Sequence, residues 1–268
     1  KGGISLSMDT VELTKLIGTR FIERRNVKSW QNKKGEWHPA KCQECINAGI
    51  TCLHNPMTLA DFEDHFSGRK TMGHYLVDPA TQQCKLFAFD IDVRKVEPGY
   101  TPTNSVNEVY DPREAWLDED HYMYTDLLLQ VRTMSEGIAR RVESLMKIPV
   151  AIATSGGKGF HVYCFTGSIP AEAAKSLAAG ILEGWTCFTQ TKGSNFWMHK
   201  TEYQDIEIET FPKQGTVSES GMGNLMALPL GINQRTGKEK FFVSTRSSLD
   251  RIKKMDAERA LGGEYPWE

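Results

Sequence analysis

A chain of 268 residues with 40% hydrophobic, 10% aromatic and 25% charged residues has the composition of a globular protein, which excludes collagen-like order and wholesale disorder. Its formal net charge of -2 excludes a global basic face. Its longest apolar runs, such as Leu127-Leu128-Leu129, fall far short of the roughly 18 residues a membrane helix needs, and no export signal is read at the start. The chain opens on Lys1 rather than on methionine, so a neighbouring domain on either side stays open.

Taken in chain order, residues 7–23 carry Val11, Leu13, Leu16, Ile17 and Phe21 in an approximate helical stripe, with Ser7 or Thr10 as N-cap. Residues 29–40 set Gly35 and polar turn residues between Trp30 and Trp37, which predicts a hairpin. A cysteine cluster follows. Thr58 is placed to cap a short helix that Gly68 ends. The period then changes to two, and residues 71–77 and 84–93 read as strands joined by the turn sequence DPATQQ. Residues 94–118 hold Pro98, Gly99, Pro102 and Pro112 among many acids and read as a solvated insertion. One long helix or two consecutive ones are predicted over 119–147, with Gly137 the weak point and Pro149 the stop, and another helix over 170–187. Strands are expected at 150–154, 160–165, 205–210, 224–228 and 240–244. The whole is an α+β fold, with long helices flanking a mixed, largely antiparallel sheet.

Charge is segregated. Residues 97–126 hold eight carboxylates against Arg113, and residues 210–254 hold eight Lys or Arg against Glu219, Glu239 and Asp250, so a polyanion would be met locally.

Three motifs carry the chemistry. In Leu86-Phe87-Ala88-Phe89-Asp90-Ile91-Asp92-Val93 two acids at i and i+2 of a strand share a face, so both carboxylates can grip hard cations. In Thr154-Ser155-Gly156-Gly157-Lys158-Gly159-Phe160-His161, three glycines in four residues let backbone N–H groups turn toward an anion, with Ser155 and Lys158 adding a hydroxyl and a charge. The spacing is not that of a Walker loop and no helix follows. In Asp205-Ile206-Glu207-Ile208-Glu209-Thr210-Phe211-Pro212-Lys213-Gln214, alternation puts Asp205, Glu207 and Glu209 on one face, where one of them can complete a three-carboxylate site.

A separate site is offered by Cys42-x2-Cys45-x6-Cys52-x-His54, four soft or borderline ligands for one structural Zn2+, with His38 as a substitute for His54. It would also present Trp30, Trp37 and Lys41 to a nucleic-acid strand. Cys84, Cys164 and Cys187 stand apart, a usage that suits a reducing compartment, the cytoplasm.

In order, FDID, SGGKGFH and EIETFPKQ resemble the motifs of the archaeo-eukaryotic primase superfamily. The resemblance extends to the primase-polymerases of CRISPR systems and of TOTE-type conflict systems. These share an FPKQ-like stretch, a GNLxALPLG-like strand, here Gly223 to Gly231, and an RTG turn, here Arg235-Thr236-Gly237. It covers about residues 58–245, and implies a division into residues 1–57, with helix, hairpin and zinc knuckle, and a primase-like catalytic core over 58–268 containing an RRM-like sheet. The acidic 94–118 segment is a departure that the likeness leaves without a role.

The likeness implies a template-directed DNA or RNA primase-polymerase that moves a nucleotidyl group from an NTP or dNTP to a 3′-hydroxyl and releases pyrophosphate. Asp90, Asp92 and Glu209, with Glu207 in reserve, would hold catalytic Mg2+ or Mn2+. Ser155, Gly157, Lys158, Gly159 and His161 would hold the triphosphate, and Lys213 and Arg235 would contact phosphate or template. The implied partners are a single-stranded DNA or RNA template, a primer, and a fused or recruited helicase or CRISPR adaptation proteins, with no membrane. The competing readings are a metal-dependent nuclease and a catalytically idle single-strand-binding domain.

Overall fold

The computed structural model describes residues 9–96, 126–191, 193–200, 204–244 and 254–261. Helix α1 (Thr10–Phe21) starts at neither expected cap: Asp9 is the N-cap, its carboxylate accepting from the Val11 N–H at 2.8 Å. The spacing of Leu13, Ile17 and Phe21 puts one buried stripe on its inner side. The hairpin forms as β1 (Ser29–Gln31) and β2 (Trp37–Pro39), turning at Gly35. Helix α2 (Gln43–Ala48) lies inside the cysteine cluster, and α3 (Leu59–Phe66) begins with a reciprocal capping box of Thr58 and Asp61.

The expected hairpin between residues 71–77 and 84–93 does not form. Strand β3 (Thr71–Tyr75) and strand β4 (Gln83–Val96) enter different sheets, linked only by a bridge between Asp78 and Gln83. Every residue of β3 is buried, and its two edges are taken by β1 and by β10 (Leu225–Ala227), so it has no edge left for β4. This small sheet runs β10-β3-β1-β2, and its main-chain pairing crosses the expected boundary after residue 57.

Strand β4 instead fills the centre of a second sheet, between β6 (Gly159–Pro170) and β9 (Gln204–Phe211). Strand β5 (Val150–Thr154) extends it on one side through β11 (Phe242–Val243) and β12 (Lys254–Met255). On the other side β8 (Phe196–Lys200) and β7 (Thr189–Gln190) complete it, and neither was expected from the sequence. All pairings among the described strands are antiparallel. Residues 97–125, with most of the acidic insertion and the start of the long helix, lie outside the described residues.

Helices α4 (Asp126–Met146) and α5 (Ala171–Glu183) contact each other and the central strands. They cover the face of Phe87 and Cys164, whose thiol is pushed up by burial and by Glu143 of α4. The short helix α6 (Ala257–Leu261) packs against α1. On the opposite face Phe21 of α1 meets Tyr163 and Phe165 edge-on at 4.9 and 5.2 Å, and also His74 of the small sheet at 6.1 Å. The lower half of this face is therefore core, and burying each such ring contributes about 2–3 kcal/mol. Its upper half carries the acids. No described helix is long and apolar enough to cross a membrane.

Two histidines in this core are neutral. His65 Nε2 donates to the Pro229 carbonyl at 2.9 Å while Nδ1 accepts from the Met72 N–H at 3.1 Å. Burial, then the charge of Lys240, pushes its pKa down to about 3, and burial alone takes His74 to about 4. Both values lie below the unfolded histidine value of about 6.5, so the unfolded chain binds protons first. Stability is whole above about pH 6.5 and is lost as pH falls toward 4. Melting temperature measured against pH should show this decline, and His74→Leu should flatten it.

Candidate active site

Because β4 alternates, Asp90 and Asp92 face the same way, and the pairing supplies their neighbours. Asp90 lies directly across from His161 on β6 and from Glu209 on β9, while Asp92 lies across from Gly159 and Glu207. Side chains so paired start about 5 Å apart. Asp90, Asp92, His161 and Glu209 all line one cavity of about 1000 Å3, whereas Glu207 is not among its lining residues. The four groups taken from three distant stretches of sequence thus meet on one wall.

Lysines stand among the acids. Lys213 forms an ion pair with Glu209, and its ammonium also lies 5.4 and 4.9 Å from the ring centres of Phe196 and Phe211. Lys158 donates to the Val93 carbonyl and sits 4.0 Å from Asp92. Asp90 has His161 Nε2 at 3.3 Å. With Glu209 drawn to Lys213 and Asp92 to Lys158, the carboxylate oxygens do not form a group lying wholly within 4.8 Å. Three hard oxygen donors on two neighbouring strands are nonetheless the donor type a divalent cation takes, and its charge would replace that of the lysines.

The glycine turn joins β5 to β6. Ser155 N donates to Gly159 O at 3.0 Å and Gly157 N to Ser155 Oγ at 3.2 Å, so these two N–H groups are spent inside the turn. The Ser155 hydroxyl keeps its own proton to offer. Gly159 is compulsory: a Cβ there would come 2.0 Å from Ile91 O and 2.2 Å from an oxygen of Asp92.

The motifs further along hold this turn in place. Asn233 Nδ2 donates to Ser155 O at 3.1 Å and Thr236 Oγ1 donates to Gly156 O. Arg235 lines the cavity, its stem packed where a Cβ on Gly35 would lie. Lys213 and Gln214 both donate their N–H to Asn224 Oδ1, at 2.8 and 3.0 Å, which ties the FPKQ stretch to the GNL strand. The co-occurrence of these motifs thus has a mechanical reason.

Sequence reasoning missed Lys240. It is 2% exposed, lines the cavity and places its ammonium 3.4 Å from the Leu228 carbonyl. Burial pushes its pKa down to about 7, against the opposing pull of Asp90. In KEKFF nothing separates it from the neighbouring Lys238; only burial does, and burial is not written in that spacing. Tyr163, also buried, meets His161 Nδ1 at 2.9 Å through its hydroxyl.

The cysteine cluster closes as expected. Ligand atoms of Cys42, Cys45, Cys52 and His54 all lie within 4.8 Å of one another. Cys52 Sγ is 3.7 Å from Cys42 Sγ, and His54 Nε2 is 3.2 and 3.8 Å from the sulfurs of Cys42 and Cys45. A tetrahedron with metal–sulfur bonds near 2.3 Å and metal–nitrogen bonds near 2.0 Å has edges of about 3.5–3.8 Å, so the donor set fits a four-coordinate metal. Burial and the neighbouring sulfurs push the Cys45 thiol up to about 12, which a cation at the centre would reverse. His54, not His38, is the fourth member; His38 lies against Trp30, ring centres 5.1 Å apart.

Fold and site together define an α+β protein of the primase-like class. The chain belongs to the family described as the TOTE conflict system, Archaeo-Eukaryotic Primase domain, which matches residues 19–257. No curated protein matches it. Among solved structures, it is similar to the polymerase domain from Mycobacterium tuberculosis Ligase D in complex with DNA, at 10% identity and a TM-score of 0.45, over 95% of this chain and 85% of that one.

Proposed function

We propose that this chain is a template-directed primase-polymerase. The observation that carries the reading is the placement of Asp90 between His161 and Glu209 on adjacent strands, in one cavity with the glycine turn. Family membership supports nucleotidyl transfer in general.

In this reading Asp90, Asp92 and Glu209 hold Mg2+ or Mn2+, which when bound supply charge neutralisation at the α-phosphate and a lowered pKa for the attacking 3′-hydroxyl. His161 presents Nε2 to the triphosphate beside Asp90, and Ser155 donates its hydroxyl proton to the same group. Lys158 and Lys213, released from the acids, would turn their charge to phosphate, with Arg235, also in the cavity wall, for phosphate or template. The departing pyrophosphate would remain within reach of His161, Ser155 and these positive side chains. Cys42, Cys45, Cys52 and His54 hold Zn2+ in a structural role, since a closed shell of four protein ligands offers no position to substrate.

Labelled nucleotides incubated with single-stranded template, primer and Mg2+ or Mn2+ test the reading. Extension supports it, degradation of the strand favours the nuclease, and no change with retained binding favours the idle domain. His161→Ala should raise the apparent nucleotide KM roughly 10- to 100-fold, the worth of a hydrogen bond to a charged group, with a smaller effect on kcat. An effect confined to template affinity would contradict the phosphate role.

A further inference from the structure

The cavity is divided by chemistry. One wall belongs to the large sheet and carries the acids, His161 and the glycine turn; the other belongs to the small sheet and carries Trp37, Leu225 and Ala227. The register of the small sheet explains the second wall. Gln31 pairs with Trp37 and with Thr71, Ser29 pairs with Gly73, and Gly73 with Ala227, so Trp37, Gly73, Leu225 and Ala227 fall on one face. Gly73 has no side chain because the neighbours occupy that space: a Cβ there would lie 2.8 Å from Cζ3 of Trp37 and 3.0 Å from Cδ1 of Leu225. The edge of the indole and the tip of the leucine thus close over a glycine floor and form an apolar shelf in the same cavity as the charged wall. Trp30, by contrast, alternates to the other face and lies tilted against His38.

A ligand that fills both halves must be anionic at one end and flat and apolar at the other. Resting on the proposed nucleotidyl transfer, we infer that the shelf of Trp37, Leu225 and Ala227 is the subsite for the nucleobase of the incoming nucleotide. A triphosphate held by the glycine turn directs its base across the cavity to this shelf. The shelf is indifferent to base identity. Gln31, the cross-strand neighbour of Trp37, is engaged elsewhere, accepting from the Gln234 N–H at 3.1 Å and donating to Gly35 O at 3.4 Å. Packing against an aromatic face serves any base, whereas discrimination between bases needs edge-on hydrogen bonds.

The test compares two probes on the whole chain in the presence of Mg2+: a nucleoside triphosphate and inorganic tripolyphosphate, which has no base. Trp37→Ala should weaken binding of all four nucleoside triphosphates by about tenfold or more, and by similar factors, while leaving tripolyphosphate affinity unchanged. Trp37→Phe should restore most of the loss. Equal weakening of both probes would assign Trp37 a structural role and overturn the inference. So would unchanged nucleotide affinity, or a loss confined to single-stranded oligonucleotide, which would give the shelf to the template. Failure of the underlying reading looks different: the unsubstituted protein would bind neither probe, or His161→Ala would leave tripolyphosphate binding intact.

Discussion

Replacing Asp90 and Asp92 together by alanine is expected to lower nucleotide incorporation by about three orders of magnitude or more without unfolding the protein. In the proposed reading the two carboxylates would supply two of the three hard ligands for the ions, and neither His161 nor the lysines could substitute as oxygen donors. The fold should tolerate the change. Asp90 faces Glu209 and Asp92 faces Glu207 across the strand pairs, and like charges directly opposite are destabilising, so the repulsion relieved offsets the lost contacts with His161, Lys158 and Lys240. The hydrophobic side of β4, with Phe87, Phe89 and Ile91 fully buried, is untouched. Melting temperature should therefore stay within a few degrees of the parent while primer extension disappears. Glu209→Gln should show a comparable loss of extension and Glu207→Gln a much smaller one, since Glu209 lines the cavity and Glu207 does not. A double aspartate variant of undiminished activity would remove the assignment.

The parts of this site were legible because strands announce themselves by alternation. LFAFDIDV and DIEIET each show which residues share a face, and the glycines of SGGKGFH mark a turn. Which strands are neighbours was not legible. That Asp90 has His161 on one side and Glu209 on the other is a property of register among β6, β4 and β9, and no local pattern encodes it. The same gap produced the mistaken hairpin. DPATQQ is a plausible turn between two strands, but β3 is claimed on both edges by distant partners, and tertiary pairing overrode the local reading. Short elements were missed for a different reason. Helix α2 has one buried residue, Cys45, so there was no stripe to detect, and β8 buries Trp197 with its neighbours only partly covered. The apolar shelf was visible only as two tryptophans; Gly73 carried its meaning, and that emerged once Trp37 was found lying over it.

Cys45→Ser is expected to release the metal from the knuckle and to loosen residues 42–54 while the central sheet survives. The segment has almost no core of its own. Cys45 and Cys52, at 1% and 2% exposed, are the buried residues within 42–54, while Ile46 and Ile50 point outward at 54% and 55% exposed. Structural zinc in such small sites contributes on the order of 10 kcal/mol, more than so short a segment gains from any other source. The parent chain should therefore return about one zinc per molecule on metal analysis, and the variant none. Limited proteolysis should cut the variant within the knuckle and leave the parent whole. The loss should reach activity only indirectly, because the cluster directly follows β2, the strand that carries Trp37 and pairs with β1. A weaker grip on the nucleotide, with kcat nearly unchanged, is the expected kinetic signature. A metal-free parent that resists proteolysis throughout residues 42–54 would refute the zinc assignment while leaving the carboxylate site standing.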